Sequence, residues 1–175
     1  INFAYWLAKH DFTYTDPACL PEVDRWAQHW SYYLIEASVE LAEKYGHCPY
    51  SDQTKYHTGV LPVDTYKKDV DELVPHKDQV DWTGLRARLK KSGIRNSTLM
   101  ALMPAETSAQ ISNSTNGVEP PRSFVSIKQS KHGALKQVVP EYRRLKNKYE
   151  LLWTQRSPEG YLKIMAILQK YIDQG

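Results

Sequence analysis

The chain has 175 residues, enough for one domain or for part of a larger one. Hydrophobic residues at 41%, with five Trp and twelve Tyr, exclude a disordered chain, and 25% charged residues suit a soluble surface. A net charge of +3 is too weak to argue for nucleic acid, and no apolar run reaches the ~18 residues of a membrane span. No signal-peptide pattern opens the sequence, so a cytoplasmic location is the simplest expectation.

Residues 1–9 read as a short helix, and Asp16-Pro17 with Leu20-Pro21 mark turns. From Pro21 to about Tyr45 the pattern is helical. Trp26, Trp30, Tyr33, Ala37 and Leu41 recur every three or four residues, and that aromatic stripe is expected to be core. Tyr32, Ile35 and Val39 add a second strip. Pro21 suits a first helical position and Gly46 the position just past the end.

Residues 46–62 are loop-like. Asp64 is expected to cap a short helix over 65–73, which Pro75 ends. Asp81 is a good cap for a helix from Trp82 to Lys91, stopping near Gly93. Residues 97–103, an apolar run ended by Pro104, fit a strand buried on both faces. Two β-rich runs, 124–130 and 134–139, flank His132-Gly133 and predict a hairpin. Pro140 is expected to open a helix reaching about Trp153, and an amphipathic helix over 161–172 follows Gly160.

Charge is uneven along the chain. Residues 122–175 carry 11 basic and 4 acidic side chains, whereas residues 1–121 carry 12 and 16. The basic third fits either an anionic partner or a lysine-rich solvated helix face. Cys19 and Cys48 form no CxxC and have no metal-ligand spacing, so structural thiols in a reducing compartment are expected.

One stretch could carry chemistry: Pro104-Ala105-Glu106-Thr107-Ser108-Ala109-Gln110-Ile111, between the expected strand and a short helix. Thr107 and Gln110 match a capping box. The first amides of a helix lack intrahelical acceptors, and with the Thr107 and Ser108 hydroxyls they could hold a phosphate. On the motif alone plain capping is the simpler account, and the Glu106 carboxylate must point away if an anion is to bind.

The neighbours of this stretch make it specific. Arg95-Asn96-Ser97-Thr98, Ala101-Leu102-Met103-Pro104, Glu106-Thr107-Ser108, Gln110-Ile111-Ser112-Asn113 and Thr115-Asn116-Gly117-Val118-Glu119-Pro120-Pro121-Arg122 together resemble the C-terminal part of the large subunit of class I ribonucleotide reductases. The bacterial and phage branch is the nearest in pattern. The likeness extends to Ile1-Asn2-Phe3-Ala4-Tyr5, to residues 61–68, 125–128 and 136–140, and to Tyr149-Glu150-Leu151-Leu152-Trp153.

The resemblance implies an α/β fold, a fragment of a ten-stranded barrel built from two half-barrels. On this view the chain is a single segment: 1–93 mainly helical, 94–122 a strand, phosphate loop and short helix, 123–139 a hairpin, and 140–175 helices. It implies that 97–103 is a barrel strand and that Pro104, Ala105, Glu106, Thr107 and Ser108 contact the diphosphate of a ribonucleoside diphosphate. This chain departs from the pattern at Ala105 and Ala109, where the family has Ser, and at His132, where it has Asp.

The family's radical cysteine and redox cysteine pair match neither Cys19 nor Cys48, and Tyr32-Tyr33 is not its radical-relay pair. The chain is therefore expected to hold no catalytic residue, metal or cofactor and to be inactive alone. Its opening at Ile1 fits a fragment, a processed piece or half of a split protein. The assembled enzyme implies a small radical-generating subunit with a metallocofactor, nucleotide effectors bound elsewhere, and thioredoxin or glutaredoxin. No membrane or nucleic acid is expected as a partner. The alternative reading is a stand-alone helical module that binds anions or nucleic acid without catalysis.

Overall fold

The computed structural model describes residues 1–131 and 133–173. The chain divides into two compact units. The first is formed by Ile1–Cys19 with Leu102–Ile164, and the second by Leu20–Ala101 with Met165–Gly175. No helix among the described residues is long and apolar enough to cross a membrane.

In the first unit, α1 (Phe3–Lys9) buries Phe3, Ala4, Leu7 and Ala8 on one face. Asn2 enters it in the left-handed region and ties it to residue 115. Its amide donates to the Thr115 carbonyl (2.8 Å), and its side-chain oxygen accepts from the Thr115 amide (3.2 Å). Buried Tyr14 donates its hydroxyl to the Val118 carbonyl at 2.8 Å. Gly160 passes so close to this segment that a Cβ there would lie 2.3 Å from the Tyr14 carbonyl oxygen, which only glycine avoids.

The hairpin forms as expected. Strand β1 (Val125–Ser130) pairs antiparallel with β2 (Gly133–Val138), with Val125 opposite Val138 and Ser130 opposite Gly133. His132, assigned from sequence to the turn, lies outside the described residues.

In the second unit, α2 (Cys19–Tyr45) starts two residues before Pro21. Asp16 makes the turn, its carbonyl accepting from the Cys19 amide and its carboxylate from the Ala18 amide. Pro21 therefore sits inside the first turn, where its missing N–H costs nothing. Gly46 closes the helix at φ +84°, its amide bonded to the Ala42 carbonyl.

Most of the stripe expected to be core is instead exposed, Trp30 by 51%, Tyr33 by 58% and Leu41 by 43%, while Trp26 is half-buried. The inward face carries Val23, Ala27, Ile35, Val39 and Ala42, interleaved with buried Asp24, Gln28, Ser31 and Ser38. Asp24, Gln28 and Ser38 on that face find partners, which is what lets it go inward. Gln28 takes the Gln79 amide, and Ser38 bonds Asn96.

Helix α3 (Pro62–Thr65) is shorter and earlier than expected, with Pro62 at its first position. Asp64 caps it from the third position, accepting the Leu61 amide at 2.8 Å. A 3-10 turn, Lys68–Glu72, replaces the rest of the expected helix. Helix α4 (Trp82–Ser92) has the expected cap, with Asp81 accepting the Gly84 amide at 2.8 Å.

Residues 97–103 form no strand among the described residues. Ala101 makes an isolated bridge, and the Leu99 and Met100 amides both donate to the Asp173 carboxylate. A strand needs a ladder partner, and here a side chain takes that place.

The helix expected over 140–153 shrinks to α6 (Tyr142–Leu145), because Glu141 enters it at φ +49° and the Leu152 amide is drawn off to the Pro121 carbonyl. The last helix, α7 (Glu159–Gln169), starts slightly earlier than expected. At the coarser level the α/β expectation holds, as a helix-rich chain with one two-stranded antiparallel sheet among the described residues.

Candidate functional site

The turn at 104–108 lies in the first unit and opens α5 (Glu106–Ile111). Pro104, Glu106, Thr107 and Ser108 are exposed, and Ala105 is half-buried. Ala105 is the residue before the helix, and its carbonyl accepts the Ala109 amide at 2.8 Å. The capping box expected from Thr107 and Gln110 is absent, because the helix starts one residue before Thr107 and that threonine lies inside its first turn.

The Asn116 side chain does the capping work instead, its oxygen accepting the Ala105 amide at 2.9 Å. This corrects one expectation: the Ala105 amide is already occupied. The next three amides, of Glu106, Thr107 and Ser108, have no acceptor among the described residues, as expected for a helix start. The hydroxyls of Thr107 and Ser108 also donate to no described residue. The turn thus offers three amides and two hydroxyls on an exposed surface.

Glu106 points away from these donors. Its carboxylate pairs with Lys128 of β1 at 2.9 Å, and this contact holds its carboxyl below the usual range. The far end of the helix is pinned to β2, where the Gln137 amide group donates to the carbonyls of Ala109 (3.1 Å) and Ser114 (2.8 Å). Asn113, at φ +50°, turns the chain back so that the Ser114 amide reaches the Ala109 carbonyl.

A short helix that would be marginal alone is therefore clamped at both ends. Asn116, Lys128 and Gln137 were not singled out from sequence. The only signal for Asn116 is a side chain of capping type eleven residues past Ala105, and no local pattern flags the other two.

The remaining candidates sit elsewhere. Cys19 is buried, and that burial pushes its thiol up to about 11, so it stays protonated at neutral pH and is a poor nucleophile. Cys48 is half-buried, and both thiols are free. Tyr32 and Tyr33 meet edge-on at 5.3 Å on α2, with Tyr32 bonded to Glu36. Among the described residues no group of three or more His, Cys, Asp or Glu could hold a metal ion.

Comparison with known proteins bears on the same residues. A family model described as "Ribonucleotide reductase, barrel domain" matches residues 1–175. The chain is 53% identical over 174 residues to ribonucleoside-diphosphate reductase 1 subunit alpha of Salmonella typhimurium, covering 99% of this chain and 23% of that protein. It is 52% identical over 174 residues to the protein of the same name from Escherichia coli, with the same coverage. The alpha subunit of Enterobacteria phage T4 is 42% identical over 175 residues, again covering 99% of this chain and 23% of the relative. The chain thus spans about a quarter of the length of these relatives, and with its whole length matched it belongs to the ribonucleotide reductase barrel-domain family.

Proposed function

We propose that this chain works as a segment of the large subunit of a ribonucleoside-diphosphate reductase and that the turn Pro104–Ser108 holds the substrate's diphosphate. Other segments supply the radical cysteine and the reducing cysteine pair. A separate small subunit with a radical metallocofactor generates the radical, nucleotide effectors bind elsewhere, and a thioredoxin or glutaredoxin returns electrons. A cytoplasmic location and a ten-stranded barrel go with this reading.

The observation that carries the site assignment is the set of three unaccepted amides at Glu106, Thr107 and Ser108, beside two exposed hydroxyls, with the Glu106 carboxylate drawn off to Lys128. Phosphoryl oxygens accept readily from amides and hydroxyls fixed in advance, because no donor has to be reorganised when the anion arrives. The loss of the family's serine hydroxyl at Ala105 removes one donor. The amide beneath it is committed to Asn116, so the turn relies on residues 106–108.

The test is substrate affinity in the assembled enzyme. Thr107→Ala and Ser108→Ala should each weaken diphosphate binding by roughly 1.5–3 kcal/mol, the range for hydrogen bonds to charged groups. Substrate affinity unchanged in both variants would remove the assignment. The chain by itself should show no nucleotide reduction, and turnover without added segments would contradict the division of roles.

A further inference from the structure

We propose that the outer edge of β2 takes an extended acidic segment of another polypeptide, added to the hairpin as a third strand. A groove of about 740 Å³ runs along this strand, lined also by Gln110, Asn113, Tyr142, Arg143 and Arg144. Five consecutive residues, Leu135 to Val139, line it. Successive side chains of a strand point to opposite faces, so lining by both parities means that the strand's edge forms the floor.

The register shows what that edge offers. The Val139 amide donates to the Phe124 carbonyl, which turns residues 139, 137 and 135 toward β1. In an antiparallel pair the alternate residues, Lys136 and Val138, then direct their N–H and C=O groups outward. The described residues contain no other strand to accept them. An open edge of this kind is a ready template for strand addition.

Charge selects the occupant. Residues 122–148 carry eight basic side chains and one acidic one, Glu141. Glu141 is already engaged, by Arg144 at 3.1 Å and by the Tyr5 hydroxyl. Lys136 and Arg143 have no carboxylate partner among the described residues. A peptide with carboxylates on alternate residues could satisfy them while its backbone pairs with β2. Apolar side chains between the carboxylates could rest on half-buried Val138 and Val139.

A nucleic acid fits the floor less well. Bases need aromatic platforms for stacking, and the groove holds one aromatic ring, Tyr142.

The experiment measures binding of a fluorescent peptide of alternating Glu and Val to the chain and to the full-length large subunit, by anisotropy. Binding should weaken as salt rises. It should fall by about tenfold or more in the Arg143→Glu, Arg144→Glu variant, since each reversal places like charges together. The same peptide N-methylated on alternate residues should lose binding to the unaltered protein, because strand pairing needs its N–H groups.

Equal binding of the methylated peptide would overturn strand addition. Tighter binding of an oligothymidylate than of the peptide would overturn the choice of a protein partner. Binding to the isolated chain but not to the full-length subunit would place a segment of the same subunit in the groove, and would also overturn the proposal.

Discussion

Lys170 has no exposed surface, and its side-chain nitrogen sits between two carboxylates, Asp24 at 2.9 Å and Asp71 at 3.3 Å. The Tyr171 hydroxyl donates to the same Asp24 oxygen at 2.8 Å, and Gln28 extends the network to the Lys77 carbonyl. Burying these charges is costly, and only their mutual contacts offset it. Lys170→Met should therefore destabilise the fold by about 3–5 kcal/mol, because Asp24 is left buried without its cation. Lys170→Met combined with Asp24→Asn should cost less than the single change. Denaturant titration of the three proteins checks this, and a double variant as unstable as the sum of both losses would argue against coupling.

Asp64 is the residue whose protonation matters most legibly. Burial pushes its carboxyl up, but Arg86, which donates at 2.7 and 2.9 Å, and the Leu61 amide outweigh it, so the net displacement is downward. A depressed folded-state value means that the contribution is full at neutral pH, above the unfolded value. It is lost as acid titrates the group through its folded value. Stability should thus fall with pH below the ordinary carboxylate range, and Asp64→Asn should flatten that slope. Identical acid profiles for the two proteins would count against the ion pair. With side chains about a third exposed, the effect is a modest one.

At the scale of elements, several local signals formed as the sequence states them. Asp81 caps α4, Gly46 and Gly93 lie just past helix ends, and the alternating runs around Gly133 pair as a hairpin. Each of these signals works within about four residues, through chemistry that does not depend on the rest of the chain. Asp81→Ala should accordingly cost about 1 kcal/mol, read as a lowered thermal midpoint with no change of fold. An unchanged midpoint would mean that the cap contributes nothing beyond what water supplies.

Three stretches that formed differently have partners beyond their own element. The expected helix over 140–153 is cut short where the Leu152 amide goes to Pro121. The run 97–103 gives two amides to Asp173, more than seventy residues away. The capping box at Thr107 gives way to Asn116.

At the scale of the whole molecule, the family was legible in the block 94–122 and its flanking motifs, and the match over residues 1–175 agrees with it. The position of the candidate turn was legible too, as an exposed chain segment opening a helix with spare donors. Which donors are spare was not, because Asn116, Lys128 and Gln137 reach it through the fold.

The same limit explains α2. Its aromatic stripe has the spacing of a buried face, but Trp30 and Tyr33 are exposed while Asp24, Gln28 and Ser38 go inward. Periodicity identifies a face that gains by being covered. It says nothing of whether the cover belongs to these 175 residues, or of which polar groups meet partners inside. By itself the sequence determined the family, the end of α2 at Gly46, both ends of α4 at Asp81 and Gly93, the hairpin and the location of the turn, since all of these rest on short-range chemistry or on motif identity. The tertiary structure alone decided which face of α2 is buried, where the amides of 99, 100 and 105 go and what surrounds Lys170, because each depends on groups brought together only by folding.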